Sequence, residues 1–412
     1  VRLRYVQNAR LPTEKAHGYQ IAKMCEAIGR DGADVELWHA RRYQHDPRLA
    51  HITVHDYYGV EPVFRVAALP NLDVLRFAST PGLGWTQRLV PLQQVAWAWA
   101  AARRAAGAPA ALWYTRDLPV ALTLTARALP TVLEVHAIPR AAGRGYLRRL
   151  ATRPSLRRVV AITSCIAEDL EAFGFARART VVLPDAADPA LFAGALTRAA
   201  ARQALGLPGD RPIVGYVGRF TTLEMEKGLP ELVAALGALT PMRGREPLLV
   251  AVGGPLDVVP RYEAHARATG TSSSRLRFVD RVPNREVPAW IAAFDVAVLP
   301  APNHVHHARY ASPLKLFEYM AAGAAIVASD LPAIRDVLRD GENALLVAPG
   351  DPAALAAGLS RALGDPALAA RLGACARRDA GRYTWTRRAR AALAGLGFET
   401  RVTADISSER PG

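Results

Sequence analysis

The chain has 412 residues, and 52 Lys and Arg against 37 Asp and Glu give it a formal charge of +15 at neutral pH. That length is too much for one ordinary domain and suits two of roughly 200 residues each. The three cysteines, Cys25, Cys165 and Cys375, are isolated and odd in number, which argues against a disulfide framework or a zinc ribbon and fits a reducing cytoplasm.

The first element reads as a short strand from Leu3 to Gln7, followed by a loop to Gly18 and an apolar-periodic helix from Tyr19 to about Gly29. Arg2 and Arg4 precede no apolar h-region, so a soluble protein is expected. A strand, a glycine-containing loop and a helix make a place where backbone meets a phosphate or substrate, and Lys15, His17 and Gly18 lie there. A purely structural loop is the alternative. Further strands are expected at 34–38, 112–115, 131–136 and 158–163. Ligands of open α/β sheets lie beyond the carboxyl ends of strands, which singles out Arg116, Asp117 and His136. A lone histidine there serves equally well as a structural hydrogen-bonding residue.

The apolar run from Leu89 to Ala102 is too short, and too close to Arg103 and Arg104, to span a bilayer. Arg140, Arg144, Arg148, Arg149, Arg153, Arg157 and Arg158 crowd one region without an intervening acid. They form either a docking face for an anionic membrane or acceptor, or a solvated face. The stretch 193–211 is expected to hold a linker, dividing the chain into residues 1–195, residues 196–385, and a helix end with a disordered tail over 386–412.

Ile213 to Phe220 reads as a strand that delivers Arg219 into a loop, and eight residues later Lys227-Gly228 precedes an amphipathic helix over 229–236. Gly218 lets backbone approach a ligand closely. A guanidinium binds phosphate oxygens bidentately and an ammonium adds a compact charge, so Arg219 and Lys227 suit one diphosphate. Strands at 248–252, 276–279 and 296–299 precede loops at Gly253, Arg281 and Pro300 to Tyr310, a pattern of parallel strands with crossovers. His304, His306 and His307 invite a metal reading, but no nearby carboxylate or cysteine completes a site, and none is expected.

Ser312-Pro-Leu-Lys-Leu-Phe-Glu-Tyr-Met-Ala-Ala-Gly323 is the most informative stretch. Ser312 suits an N-cap and Pro313 the first helical position, leaving unpaired amides around Leu314 as a phosphate seat. Lys315 in the first turn works against the helix dipole, a penalty that a nearby anion removes. Glu318 lies on the same face and can accept hydrogen bonds from vicinal hydroxyls, the alternative being an ordinary surface Lys–Glu pair. A buried strand over 324–328 follows, and a helix running into a buried strand is the repeating unit of a doubly wound α/β domain. Lysine occurs only at positions 15, 23, 227 and 315, as in a chain of GC-rich coding background, and three of the four fall in these motifs, chance being the alternative.

On these residues the chain resembles the retaining group 1, or family 4, glycosyltransferases of the GT-B fold. Their Glu-x7-Glu pattern ends in Glu-Ala-Met-Ala-Cys/Ala-Gly before a Pro-Val-Val-Ala strand. The second Glu falls on Glu318, while Tyr310 stands where the first would be. Val181 to Phe192 resembles the family's interdomain connection, with Ala186 and Ala187 departing from it.

The resemblance implies an α/β chain of two doubly wound Rossmann-like domains facing a central cleft, with the acceptor side N-terminal and the nucleotide-sugar side C-terminal. It implies retaining transfer of a hexosyl or N-acetylhexosaminyl group from a nucleotide-diphosphate sugar, a UDP-sugar by preference. The acceptor would be a natural product, a lipid carrier or a glycan. No cofactor, metal or nucleic acid is expected, and the cytoplasm or the inner membrane face is the expected location. Catalytic roles fall on Arg219 and Lys227 at the leaving diphosphate, Glu318 at the ribose and His136 near the transferred sugar. Gly18, Gly218, Gly253, Arg281, Tyr310, Ser312, Pro313, Leu314 and Lys315 would bind the donor, and Lys15, His17, Arg116 and Asp117 would line the acceptor side. Two rivals remain: a GT-B-fold epimerase or phosphorylase, and a non-catalytic basic binding module. The second explains the charge but not two spaced phosphate motifs.

Overall fold

The computed structural model describes residues 1–397 apart from 78–87, 109, 111, 140–141, 195, 223–224 and 243. Arg140 and residues 398–412 of the expected tail lie outside the described residues. The chain divides into two compact units, Val1–Pro184 with the stretch from Trp385 onward, and Asp185–Thr384.

The first unit is built on seven strands: β1 Arg2–Gln7, β2 Asp34–Ala40, β3 Arg65–Leu69, β4 Leu112–Thr115, β5 Thr131–Val135, β6 Leu156–Ala161 and β7 Thr180–Val182. They pair in the order β3-β2-β1-β4-β5-β6-β7, and every pairing is parallel. The second unit holds β8 Ile213–Val217, a small antiparallel hairpin of β9 Thr221–Thr222 and β10 Met225–Glu226, then β11 Leu248–Val252, β12 Leu276–Val279, β13 Val296–Leu299, β14 Ile326–Ser329 and β15 Leu345–Val347. Its parallel sheet runs β12-β11-β8-β13-β14-β15.

Burial explains why these sequences are continuous apolar runs and not alternating ones. β5, β8, β11, β13 and β14 are buried at every position, because helices cover both faces of a parallel sheet. In β11, Leu248, Val250 and Val252 pack into one core with Trp290, Phe294 and Phe317, while Leu249 and Ala251 pack into the opposite core with Leu232, Tyr262 and Leu359. The two-residue period of a strand makes that division. Each fully buried large side chain contributes about 1.5–3 kcal/mol.

In both sheets the strand order reverses next to the first strand, between β1 and β4 in one unit and between β8 and β13 in the other. A crevice opens at such a switch point beyond the carboxyl ends of the strands, and ligands of this architecture bind there. The first helix spans Ala16–Arg30, so it starts before Tyr19 and takes His17 and Gly18 into its first turn. A Cβ on Gly18 would stand 1.9 Å from the Tyr58 hydroxyl, which is itself fixed by donating to the Thr13 carbonyl at 2.9 Å. Gly18 therefore permits close packing of this helix start.

The helix Trp385–Leu393 brings the chain back to the first unit. Arg390 Nη2 pairs with Asp31 Oδ1 at 2.7 Å, and Arg158 Nη1 donates to the carbonyls of Ala391 and Ala392 at 3.0 and 3.2 Å. Arg158 is thereby drawn out of the expected arginine face. Arg144, Arg148, Arg149 and Arg157 are exposed.

Candidate functional site

In the second unit, the loops after three neighbouring strands, β8, β11 and β12, lie side by side next to the switch point. Gly218 follows β8, Gly253 follows β11, and Asp280 and Arg281 follow β12. Gly218 N–H donates to the Val252 carbonyl at 2.8 Å and Gly253 N–H to the Val279 carbonyl at 3.0 Å. Their φ angles are +128° and +137°, backbone that side chains other than hydrogen disfavour. A Cβ on Gly253 would also stand 2.5 Å from the Gly218 carbonyl oxygen. Gly253→Ala is expected to lose at least about 1–3 kcal/mol of stability, read by urea unfolding. An unchanged midpoint would show that this backbone is not strained by a side chain.

Removing the side chain at Gly218 makes room for Lys315. A Cβ there would lie 3.1 Å from Lys315 Nζ. That Nζ stands 3.6 Å from the centroid of the Tyr216 ring, a cation–π contact, and Tyr216 O–H donates to the Arg219 carbonyl at 2.8 Å. The helix carrying Lys315, Leu314–Ala322, is pinned to the end of β8 because Tyr319 Oη accepts the Val217 N–H at 2.7 Å.

The start of this helix differs from expectation. Pro313 occupies the cap position, one residue before the first helical residue, and no side chain caps the helix. Ser312 Oγ accepts the Asp185 N–H at 2.8 Å instead. The amides around Leu314 are thus left uncapped by any side chain, which preserves an anion seat.

Electrostatics single out the same place. Burial holds the Lys315 ammonium well below the usual lysine range, the Lys227 charge pushes it further down and Glu318 opposes both. Burial raises Glu318 to about 7 against the pull of Lys315. Lys227 is lowered by burial. Burial, then Lys227, lower His306, and the same causes lower His307 to about 4. His307 Nε2 is buried without a partner among the described residues. An anion bound among groups that suppress one another's charge would relieve the repulsion. Lys227 is placed by the hairpin before it: Glu226 accepts from the Tyr262 hydroxyl at 2.9 Å and from Arg261.

The other sequence candidates in this unit make local contacts. Arg219 is exposed, with Nε 3.4 Å from the Thr221 carbonyl. Arg281 N–H donates to Asp280 Oδ1 at 2.8 Å, and Tyr310 N–H donates to the His306 carbonyl at 3.0 Å, closing the turn Val305–Arg309. Among the described residues no group of three or more His, Cys, Asp or Glu side chains could hold a metal ion.

The first unit carries a polar network that the sequence reading missed in part. Glu134, on β5 and 1% exposed, accepts hydrogen bonds from Gln20 Nε2 at 3.0 Å and Arg388 Nη1 at 3.0 Å, and from the Tyr114 hydroxyl. His136 Nε2 lies 2.6 Å from Glu134 Oε1, and Arg116 Nε lies 3.9 Å from the same oxygen. Arg116 also donates to Gln20 Oε1. His136 stands just past the end of β5, two residues after Glu134, and its ring turns back to that carboxylate; the spacing is present in Val-Leu-Glu-Val-His. His17 joins them electrostatically: burial, then Arg116, Lys15 and His136, lower it to about 3. Asp117 does other work. Its carboxylate caps the helix Leu118–Ala126 through the Val120 N–H at 3.3 Å, and burial raises it to about 6.

Residues 211–365 match the family model described as glycosyl transferases group 1. The chain is 32% identical over 287 residues to the D-inositol 3-phosphate glycosyltransferase of Xylanimonas cellulosilytica, covering 67% of this chain and 66% of that protein. It is 34% identical over 199 residues to the enzyme of the same name from Streptomyces bingchenggensis, covering 47% and 42%. The chain thus spans less than two thirds of these curated relatives. Among solved structures, it resembles sucrose-phosphate synthase from Thermosynechococcus elongatus, with a TM-score of 0.70 at 19% identity over 95% of this chain and 96% of that one. It also resembles Anabaena Alr3699/HepE in complex with UDP, with a TM-score of 0.71 at 17% identity over 95% and 98%.

Proposed function

This chain is a GT-B-fold relative of the group 1 glycosyltransferases, and we propose that it transfers a sugar from a UDP-sugar to a hydroxyl acceptor with retention at the anomeric carbon. The observation that carries the reading is the meeting of Lys227, Lys315 and an uncapped helix start at the switch point of the second unit. As the bond between the anomeric carbon and the β-phosphate oxygen breaks, negative charge grows on the diphosphate. Cations already held in place, with little water to reorganise, bind that charge more strongly in the transition state than in the ground state. Arg219, on a flexible and exposed stem, would close on the same phosphates.

The acceptor hydroxyl would attack from the face that the phosphate leaves, and a phosphate oxygen would take its proton. Glu318 would accept hydrogen bonds from the ribose, and His136 one from a sugar hydroxyl. The choice of uridine is supported by the Anabaena relative, whose structures hold UDP and UDP-glucose. The acceptor is a natural product, a lipid carrier or a glycan. Incubated with UDP-glucose and a panel of such acceptors, the protein should release UDP in proportion to glycoside formed. An epimerised nucleotide sugar, or a sugar phosphate formed only with inorganic phosphate, would favour the rival enzymes.

No helix of the described residues is long and apolar enough to cross a membrane. The exposed Arg144, Arg148, Arg149 and Arg157 support peripheral contact with an anionic membrane. Reversing their charges should abolish sedimentation with anionic vesicles at low salt, and wild-type protein that fails to sediment would sink this contact.

A further inference from the structure

We propose that Arg388, on the helix that returns the chain to the first unit, is a positioning residue that acts through Glu134 to hold His136 as the neutral tautomer with hydrogen on Nε2. The inference rests on the transfer reading only for the purpose the histidine serves. Its structural content stands on the network alone.

Glu134 is the hub. Its Oε2 accepts from Arg388 Nη1 at 3.0 Å and from the Tyr114 hydroxyl, and its Oε1 accepts from Gln20 Nε2 at 3.0 Å and faces His136 Nε2 at 2.6 Å. Both oxygens are therefore committed, and the carboxylate is ionised: burial alone would raise it, but Arg388, His136 and Arg116 together hold it well below the usual range. An ionised carboxylate only accepts, so Nε2 must be the protonated nitrogen and Nδ1 carries the lone pair. That nitrogen is the one left to accept a hydrogen bond from a substrate hydroxyl.

Arg388 is itself fixed. It is 4% exposed, its Nε donates to the Pro184 carbonyl at 2.8 Å and its Nη2 to the Leu183 carbonyl at 3.3 Å. One guanidinium thus ties the end of the first unit's own chain to the returning helix and to Glu134. The geometry makes the histidine's state depend on a residue 254 positions from that carboxylate.

The charged and titratable groups around His136 come from every packed element. Glu134 is on β5, which ends one residue before His136, Tyr114 is on β4 and Arg116 just follows that strand, and Tyr5 is on β1. His17 and Lys15 lie at the start of the first helix, and Arg388 is on the last. Burial, then Arg116, lower His136 to about 4, Glu134 opposes them and Arg388 adds to them. The signs give a test that a merely structural role would not meet. Removing Arg388 takes away a cation and frees the carboxylate, so protonation of His136 becomes easier. Removing the Glu134 charge makes it harder.

The experiment is nitrogen NMR of the full chain with labelled histidine, the His136 signal being assigned as the one missing in His136→Gln. Wild type should show the tautomer protonated on Nε2. Arg388→Met should raise the titration midpoint of His136 by about one pH unit, and Glu134→Gln should lower it. Tyr114→Phe, which removes only a hydroxyl, should move it upward as well and serves if Arg388→Met does not fold. The acid limb of kcat/KM should move with the same signs. A tautomer protonated on Nδ1, or midpoints that stay fixed or move in one direction for all variants, would overturn the assignment. The NMR result is independent of turnover, so a protein that transfers no sugar but shows these shifts would sink the transfer reading and leave the positioning intact.

Discussion

Lys315→Met is expected to slow transfer by about 10²- to 10³-fold, the loss typical of removing one preorganised charge-stabilising group, while raising the melting temperature of the ligand-free protein. Both effects follow from one placement. The ammonium is crowded against the Tyr216 ring and the Gly218 backbone, and burial with the nearby Lys227 holds it well below the usual lysine range. Between that lowered value and the ordinary one of about 10.4, the unfolded chain binds more protons than the folded chain. The charge therefore destabilises the empty protein at neutral pH, and stability rises with pH through that window. Methionine keeps the stem and removes the charge. A bound diphosphate reverses the balance, so UDP binding near pH 8 should take up protons, detectable as a heat that depends on the ionisation enthalpy of the buffer. Transfer unchanged in Lys315→Met, or a lower melting temperature with normal transfer, would show that this lysine only packs.

Glu134→Ala is expected to cost about 3–5 kcal/mol of stability, because it removes the carboxylate that balances the buried Arg388 charge. The pair joins two parts of the first unit, and Glu134 and Arg388 are 1% and 4% exposed. Glu134 is ionised well below its ordinary range, so its contribution is present above the unfolded value of about 4.3 and is lost as pH falls through the folded one. The advantage of wild type over Glu134→Ala should thus shrink as pH falls below about 4.3. Urea unfolding of both proteins at pH 7 and at steps from pH 4 downward checks the effect, the gap between them narrowing as pH falls. A loss under about 1 kcal/mol at pH 7 would mean that water reaches the pair.

The strands of both sheets are legible because a parallel sheet covered on both faces demands unbroken apolar runs, and Leu248–Val252 and Val296–Leu299 are such runs. Lys315 and Glu318 are legible because a helix places residues three apart on one face. What local pattern cannot supply is the partner. Ser312 could cap its own helix or bind elsewhere, and the Asp185 amide, 127 positions away, takes its hydroxyl. Gly18 reads as loop because glycine is a poor helix former, yet the Tyr58 hydroxyl pressed against it makes glycine the residue that fits inside the first turn. Asp117 stands at a strand end, as a ligand-binding residue would, but the next helix begins there and uses it as a cap. Arg388 lies in an arginine-rich helix with nothing local to distinguish it from its neighbours. Only the fold brings it to Glu134.

The most direct test is calorimetric titration of UDP, GDP, dTDP and ADP into the wild-type protein and into the Lys227→Ala, Lys315→Met double variant. UDP should bind wild type in preference to the others, and the double variant should lose that binding while remaining folded. Binding of none of the four by wild type, or equal binding of UDP by both proteins, would contradict a diphosphate site at Lys227 and Lys315, and with it the proposed transfer.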